Sequence, residues 1–101
     1  MKEQPWAPVR VALMLSNKLT QGEIELLVIT MEEAGELVQA CSKILRFGKE
    51  HAHVANLEQE TGDVLCMTDL LDQYGLVDYE KAASAAEAKY EKLRKWSDLI
   101  R

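Results

Sequence analysis

Aromatic residues are scarce in this 101-residue sequence: one Phe, three Tyr and two Trp. Aliphatic side chains must therefore fill most of any core. Cysteine is limited to Cys41 and Cys66. Without a CxxC spacing the pair suggests neither a disulfide framework nor a zinc site, and both are expected as buried thiols. Glycine and proline number only five and two, and no linker, low-complexity run or internal repeat is visible. No apolar run approaches the ~20 residues of a membrane span, so no membrane partner is expected. The apolar burst Val11 to Leu15 is short for a signal sequence and no small-residue cleavage site follows it. A cytoplasmic protein is the expectation. Excess positive charge is missing too. The formal net charge of −5 disfavours binding to a nucleic-acid backbone. Acidity does not bar a single nucleotide, because a bound divalent cation inverts the local field.

Sustained period-two alternation is also absent, so no sheet is predicted. Ala, Leu, Glu and Lys, all good helix formers, are frequent. The patterning predicts four helices. The first runs from about Pro8 to Leu19 and is apolar almost all round, as a helix with more than one neighbour would be. The second follows Thr20 and Glu23, which have capping-box spacing, and runs to Phe47, with Gly48 as its stop. The third starts between His53 and Asn56 and ends near Tyr74, before Gly75. The fourth begins at Asp78, a good N-cap. Connections of roughly three to eight residues favour antiparallel neighbours. The expected fold is all-α, a four-helix antiparallel bundle spanning residues 1–101 as one domain. Such long helices make a thin monomer with exposed apolar surface, so oligomerisation is expected to complete the bundle.

Helical spacing puts carboxylates where apolar side chains belong. At roughly 100° per residue, Glu33 lies within about 40° of Leu26, Ile29, Leu37, Ala40 and Ile44. Glu36 is at the edge of that arc, about 60° from Glu33, and Glu32 is outside it, about 100° away. On the third helix, Glu60 lies between Met67 and Leu71, with Val64 close by. Asp63 is about 60° away, between Tyr74 and Leu70. Glu58, Asp69 and Gln73 hold the opposite, solvated side. Two neighbouring helices thus each carry an i, i+3 acid pair on or beside a buried stripe. Desolvating a lone carboxylate costs several kcal/mol, roughly, and converging acids raise one another's pKa. No Lys or Arg lies between Lys49 and Lys81, so salt bridging has few local partners. A hard divalent cation is the economical compensator, and magnesium, which keeps waters, leaves room for phosphate oxygens. The alternative is an acidic bundle whose ExxE and ExxD strings are merely solvated faces. A di-iron site would need Glu-x-x-His pairs on the seam. Here the histidines are His51 and His53. Only Glu50 and His53 fit that string, and they are expected in a solvated connection.

The segments "EEAGEL" (32–37) and "ETGDVL" (60–65) together resemble the EExxE…ExxD signature of the MazG-like, all-α nucleoside triphosphate pyrophosphohydrolases. That superfamily also includes dimeric dUTPases and phosphoribosyl-ATP pyrophosphatase. Twenty-three residues separate Glu36 from Glu60, a spacing the family tolerates. The resemblance implies magnesium-dependent cleavage of a nucleoside triphosphate between the α and β phosphates, giving a monophosphate and pyrophosphate. It also implies a homodimer or homotetramer. Glu33, Glu36, Glu60 and Asp63 would then be the metal ligands, with Mn2+ as a possible substitute for Mg2+. Glu32, Glu33 and Glu36 are the catalytic candidates, with Glu32 beside the metal or acting as base.

The tail "KYEKLRKWSDLIR" carries five Lys or Arg against Glu91 and Asp98. Such charge complements a helix C-terminus, worth up to ~1 kcal/mol per residue; it can equally clamp substrate phosphates. Tyr79, Ala82, Ala86, Tyr90, Leu93 and Ile100 are expected to form a buried seam, with Lys89 and Trp96 on one edge. Family members often carry a lysine before an aromatic residue and an arginine a turn later. Lys89-Tyr90 matches the start of that motif, but Leu93 stands a turn later and Arg94 is one position beyond, so Lys92 could take the arginine's place. Lys89, Lys92 and Arg94 are the phosphate-binding candidates. Trp6 and Trp96 are packing anchors or base-stacking candidates, and Trp96 is the one carried forward. Two further function classes compete with the enzyme: a non-catalytic acidic bundle, and a regulatory nucleotide- or metal-binding protein.

Overall fold

A computed structural model describes residues 7–98, with backbone only at Arg10, Leu13, Leu15 and Ser16. The described residues form four α-helices and no strand: α1 (Ala7–Asn17), α2 (Gln21–Phe47), α3 (His51–Gln73) and α4 (Tyr79–Trp96). The all-α expectation holds.

Local chemistry sets the boundaries. Lys18 adopts φ 57° and closes α1, its N–H donating to Met14 O at 3.0 Å. Thr20 Oγ1 then accepts from the Glu23 N–H (3.1 Å), while Glu23 Oε1 accepts from the Thr20 N–H (2.8 Å). This reciprocal box satisfies two of the orphan donors at the start of α2. Gly48, at φ 88°, ends α2 with its N–H on Ile44 O. Gly75, at φ 75°, turns the chain after α3. Asp78 caps α4 through the Glu80 N–H, and Asp72 accepts from the Tyr79 N–H, tying α4 to the end of α3.

α3 starts earlier than the patterning predicts. Glu50 is its N-cap, without a side-chain cap bond, and Asn56 lies inside the helix. His51 and His53 are therefore in its first turn rather than in a solvated connection. His53 is half-buried and stacks on Phe47, ring centroids 5.5 Å apart. That contact pins one end of the α2–α3 hairpin. At the other end a Cβ on Gly22 would lie 3.5 Å from the Tyr74 ring. The two long helices thus run antiparallel along their whole length.

Packing is concentrated between α2 and α3, with a smaller contact between α1 and α2. Among the described residues, Ile24, Leu26, Ala40 and Met67 are the buried apolar ones. No extensive packing joins α4 to the other helices, and none of its residues is buried. The expected α4 seam is accordingly open: Tyr79, Ala82, Ala86 and Tyr90 are exposed, Leu93 is half-buried and Ile100 falls outside the described residues. Cys41 and Cys66 are free and exposed, not buried. Among the described residues, no second helix covers either thiol. The radius of gyration is 17.2 Å, against about 13 Å for a compact chain of this length.

Candidate metal centre

Hairpin register assembles the site. From the Gly22–Tyr74 contact, fourteen residues along each helix lead to Glu36 on α2 and Glu60 on α3. One turn away on each helix, Glu33 and Asp63 join the same group. Each of the four side chains offers a carboxylate oxygen, and these oxygens all lie within 4.8 Å of one another. Glu33, Glu60 and Asp63 are half-buried and Glu36 is exposed, at the open edge. Glu32 is exposed outside the cluster, yet near enough for its charge to act on Glu33.

Glu33 Oε2 and Glu60 Oε2 are buried and have no hydrogen-bond partner. Desolvation is the main reason that both carboxyls are pushed above the ordinary glutamate range. For Glu33 the negative charges of Glu36, Asp63 and Glu32 add to it. For Glu60 hydrogen bonding with the Glu36 side chain, then the charges of Glu36, Asp63 and Glu33, act in the same direction. Among the described residues, no lysine or arginine is among the groups shifting either one. Four convergent acids with two orphaned oxygens and no counter-cation form an unsatisfied arrangement. All the donors are hard oxygens, and their separation is on the scale of one cation's coordination shell, about 4 Å across for magnesium. The residues fit a divalent cation.

The model of the MazG nucleotide pyrophosphohydrolase domain matches residues 21–97. The chain belongs to this family. The match takes in both acid pairs and most of the basic tail of this MazG domain. Compared with curated proteins and with solved structures, the chain matches none.

The tail residues stand apart from the carboxylates. Lys89, Lys92, Arg94 and Trp96 are all exposed on α4. Arg94 is ion-paired with Glu91 and lies 5.5 Å from the Tyr90 ring centroid. Trp96, 82% exposed, is no packing anchor within the chain, and Trp6 lies outside the described residues. A hollow of about 600 Å3 between α3 and α4 is lined by Leu65, Leu71, Tyr79 and Ala86, among others, and by none of the four carboxylates.

Proposed function

We propose that this MazG-domain protein is a magnesium-dependent nucleotide pyrophosphohydrolase, cleaving a nucleoside triphosphate between its α and β phosphates to the monophosphate and pyrophosphate. The observation that carries the reading is the pair of orphaned, desolvated oxygens on Glu33 and Glu60 within a four-carboxylate cluster.

Glu33, Glu36, Glu60 and Asp63 would hold the cation, with Mn2+ able to replace Mg2+. When bound, magnesium polarises the attacked phosphoryl group, lowers the pKa of water and neutralises the pyrophosphate. The protein's own part is to hold and orient. The hairpin fixes two acids on each side, and burial of Glu33 and Glu60 strengthens their hold on a cation by removing competing water. Glu36 and Glu32, at the open edge, are the carboxylates placed to accept the attacking water's proton. Lys89 and Lys92 bind substrate phosphate as point charges. Arg94 joins them once released from Glu91, and Trp96 is free to stack on a base. The working form is a homodimer or homotetramer, a reading supported by the loose packing of α4.

A panel of ribo-, deoxy- and modified nucleoside triphosphates, read by pyrophosphate release with magnesium, tests the reading. Release from one or a few nucleotides, abolished in Glu33→Gln and Glu60→Gln, supports it. A magnesium thermal shift without release from any nucleotide would leave a binding protein instead.

A further inference from the structure

Lys43 lies seven residues after Glu36 on α2, so the two share one edge of the helix, about 20° apart around it and roughly 10 Å apart along it. Asn56 lies seven residues before Asp63 on α3, with the same offset. In the antiparallel hairpin both therefore stand between the cage and the connection at residues 48–50. Both are half-buried, and among the described residues neither side chain has a hydrogen bond or an ion pair. Lys43 can cover the seam with its stem and keep its ammonium in solvent. Side chains on a helix point back towards its N-terminus, which directs Lys43 towards Glu36 and away from the connection. Its four-carbon stem covers about half of that distance. Among the described residues, no lysine or arginine acts on Glu33 or Glu60, so the ammonium is not drawn onto the empty cage. The gap that remains is about the size of one phosphate group.

Charge along the hairpin changes sign at the cage. From the cage to the connection and back, residues 37–59 hold Lys43, Arg46 and Lys49 against Glu50 and Glu58. On the other side of the cage, residues 21–31 and 64–76 hold Glu23, Glu25, Asp69 and Asp72 and no Lys or Arg. A triphosphate held by a cation at the cage is attracted towards the first stretch and repelled by the second. We infer that Lys43 binds the terminal phosphates of the substrate, so that the triphosphate runs from the cage towards the connection and the nucleoside points towards the Gly22–Tyr74 end. An ammonium suits that role, as a compact point charge with three donors on a flexible stem. It matches phosphate oxygens whatever base the nucleotide carries. Lys89 and Lys92 stand apart on α4, whereas Lys43 belongs to the helix that presents Glu33 and Glu36. Its distance from the cation is therefore fixed by α2 alone.

The inference rests on the proposed function for the identity of the ligand. The test is calorimetric binding of inorganic pyrophosphate to the magnesium-loaded protein. Lys43→Met keeps the stem and removes the charge. Its affinity for pyrophosphate should fall about tenfold, the scale of one charge-assisted contact. Lys43→Arg should retain most of the affinity, and Lys81→Ala, at the exposed start of α4, all of it. The magnesium midpoint of the thermal shift should stay the same in all three, which separates loss of the contact from damage to the cage. On a hydrolysed nucleotide, Lys43→Met should raise KM more than it lowers kcat. It should also weaken inhibition by pyrophosphate and not by the monophosphate product. Pyrophosphate affinity that ignores Lys43→Met, or a loss confined to the monophosphate, overturns the inference and leaves the hydrolase reading intact. Pyrophosphate held through Lys43 by a protein that releases none from any nucleotide overturns the hydrolase reading and supports the Lys43 contact.

Discussion

Glu33 and Glu60, twenty-seven residues apart in the chain, meet across the α2–α3 seam, each with a buried carboxylate oxygen that has no hydrogen-bond partner. Neither helix could hold that arrangement alone. Its cost falls on the empty protein and its benefit on the cation-loaded one.

Replacing either residue therefore has opposite effects on stability and function. Glu33→Gln and Glu60→Gln each remove one of four converging charges. Without metal, their melting temperatures should equal or exceed that of the wild type. With magnesium, nucleotide hydrolysis should fall by roughly a hundredfold or more, the scale of losing a positioned catalytic group. Calorimetry and pyrophosphate release check the two halves.

Metal binding is expected to appear as stabilisation. At a hundredfold excess of magnesium over its dissociation constant, linkage gives about 2.7 kcal/mol. Differential scanning fluorimetry should show a rise with Mg2+ or Mn2+, reversed by chelator and lost in Glu60→Gln. An equal rise in Glu60→Gln would sink the four-carboxylate assignment.

The pH dependence has a definite sign. Glu33 and Glu60 titrate above their unfolded value of 4.5 in the folded, metal-free protein. Protons therefore favour the folded state. This contribution is complete below pH 4.5 and is lost as pH rises through the raised values. Melting of the chelated protein, wild type minus Glu33→Gln/Glu60→Gln, should show a deficit that grows on going from mildly acid to neutral pH. Magnesium should erase it, with its own stabilisation growing over the same range as protons cease to compete.

The capping box should affect stability alone. Thr20→Ala removes the acceptor for the Glu23 N–H and should cost about 1 kcal/mol, read in urea titrations. The concentration of magnesium giving half-maximal thermal shift should not change, because Thr20 lies more than three turns from Glu33.

In the tail, Lys89→Ala is expected to raise KM roughly tenfold, as loss of a charge-assisted phosphate contact of about 1.4 kcal/mol would. kcat should change less. Steady-state kinetics separate this from the carboxylate variants, which should lose kcat.

Much of the site was legible because an α-helix is a local object. Its 3.6-residue period decides which side chains share a face before any tertiary contact forms. Glu33 and Glu60 could therefore be placed on apolar arcs, Glu36 at an edge and Glu32 outside, and those placements match the exposure found. Helix ends were as readable where the signal was a short-range hydrogen bond, as at Thr20 and Asp78. The start of α3 was not, because Glu50 lacks a side-chain cap bond and His53 is held by a ring stack on Phe47 from the preceding helix.

By itself, then, the sequence determined the helices, the composition of each face and the acid pairs. Only the tertiary structure decided which faces are covered. The packing of α2 on α3 brought Glu33, Glu36, Glu60 and Asp63 together. The same packing left Cys41, Cys66 and the apolar side of α4 in the open. Periodicity shows that a face is apolar, but burial requires a second surface, and that surface comes from residues distant in the chain or from another chain.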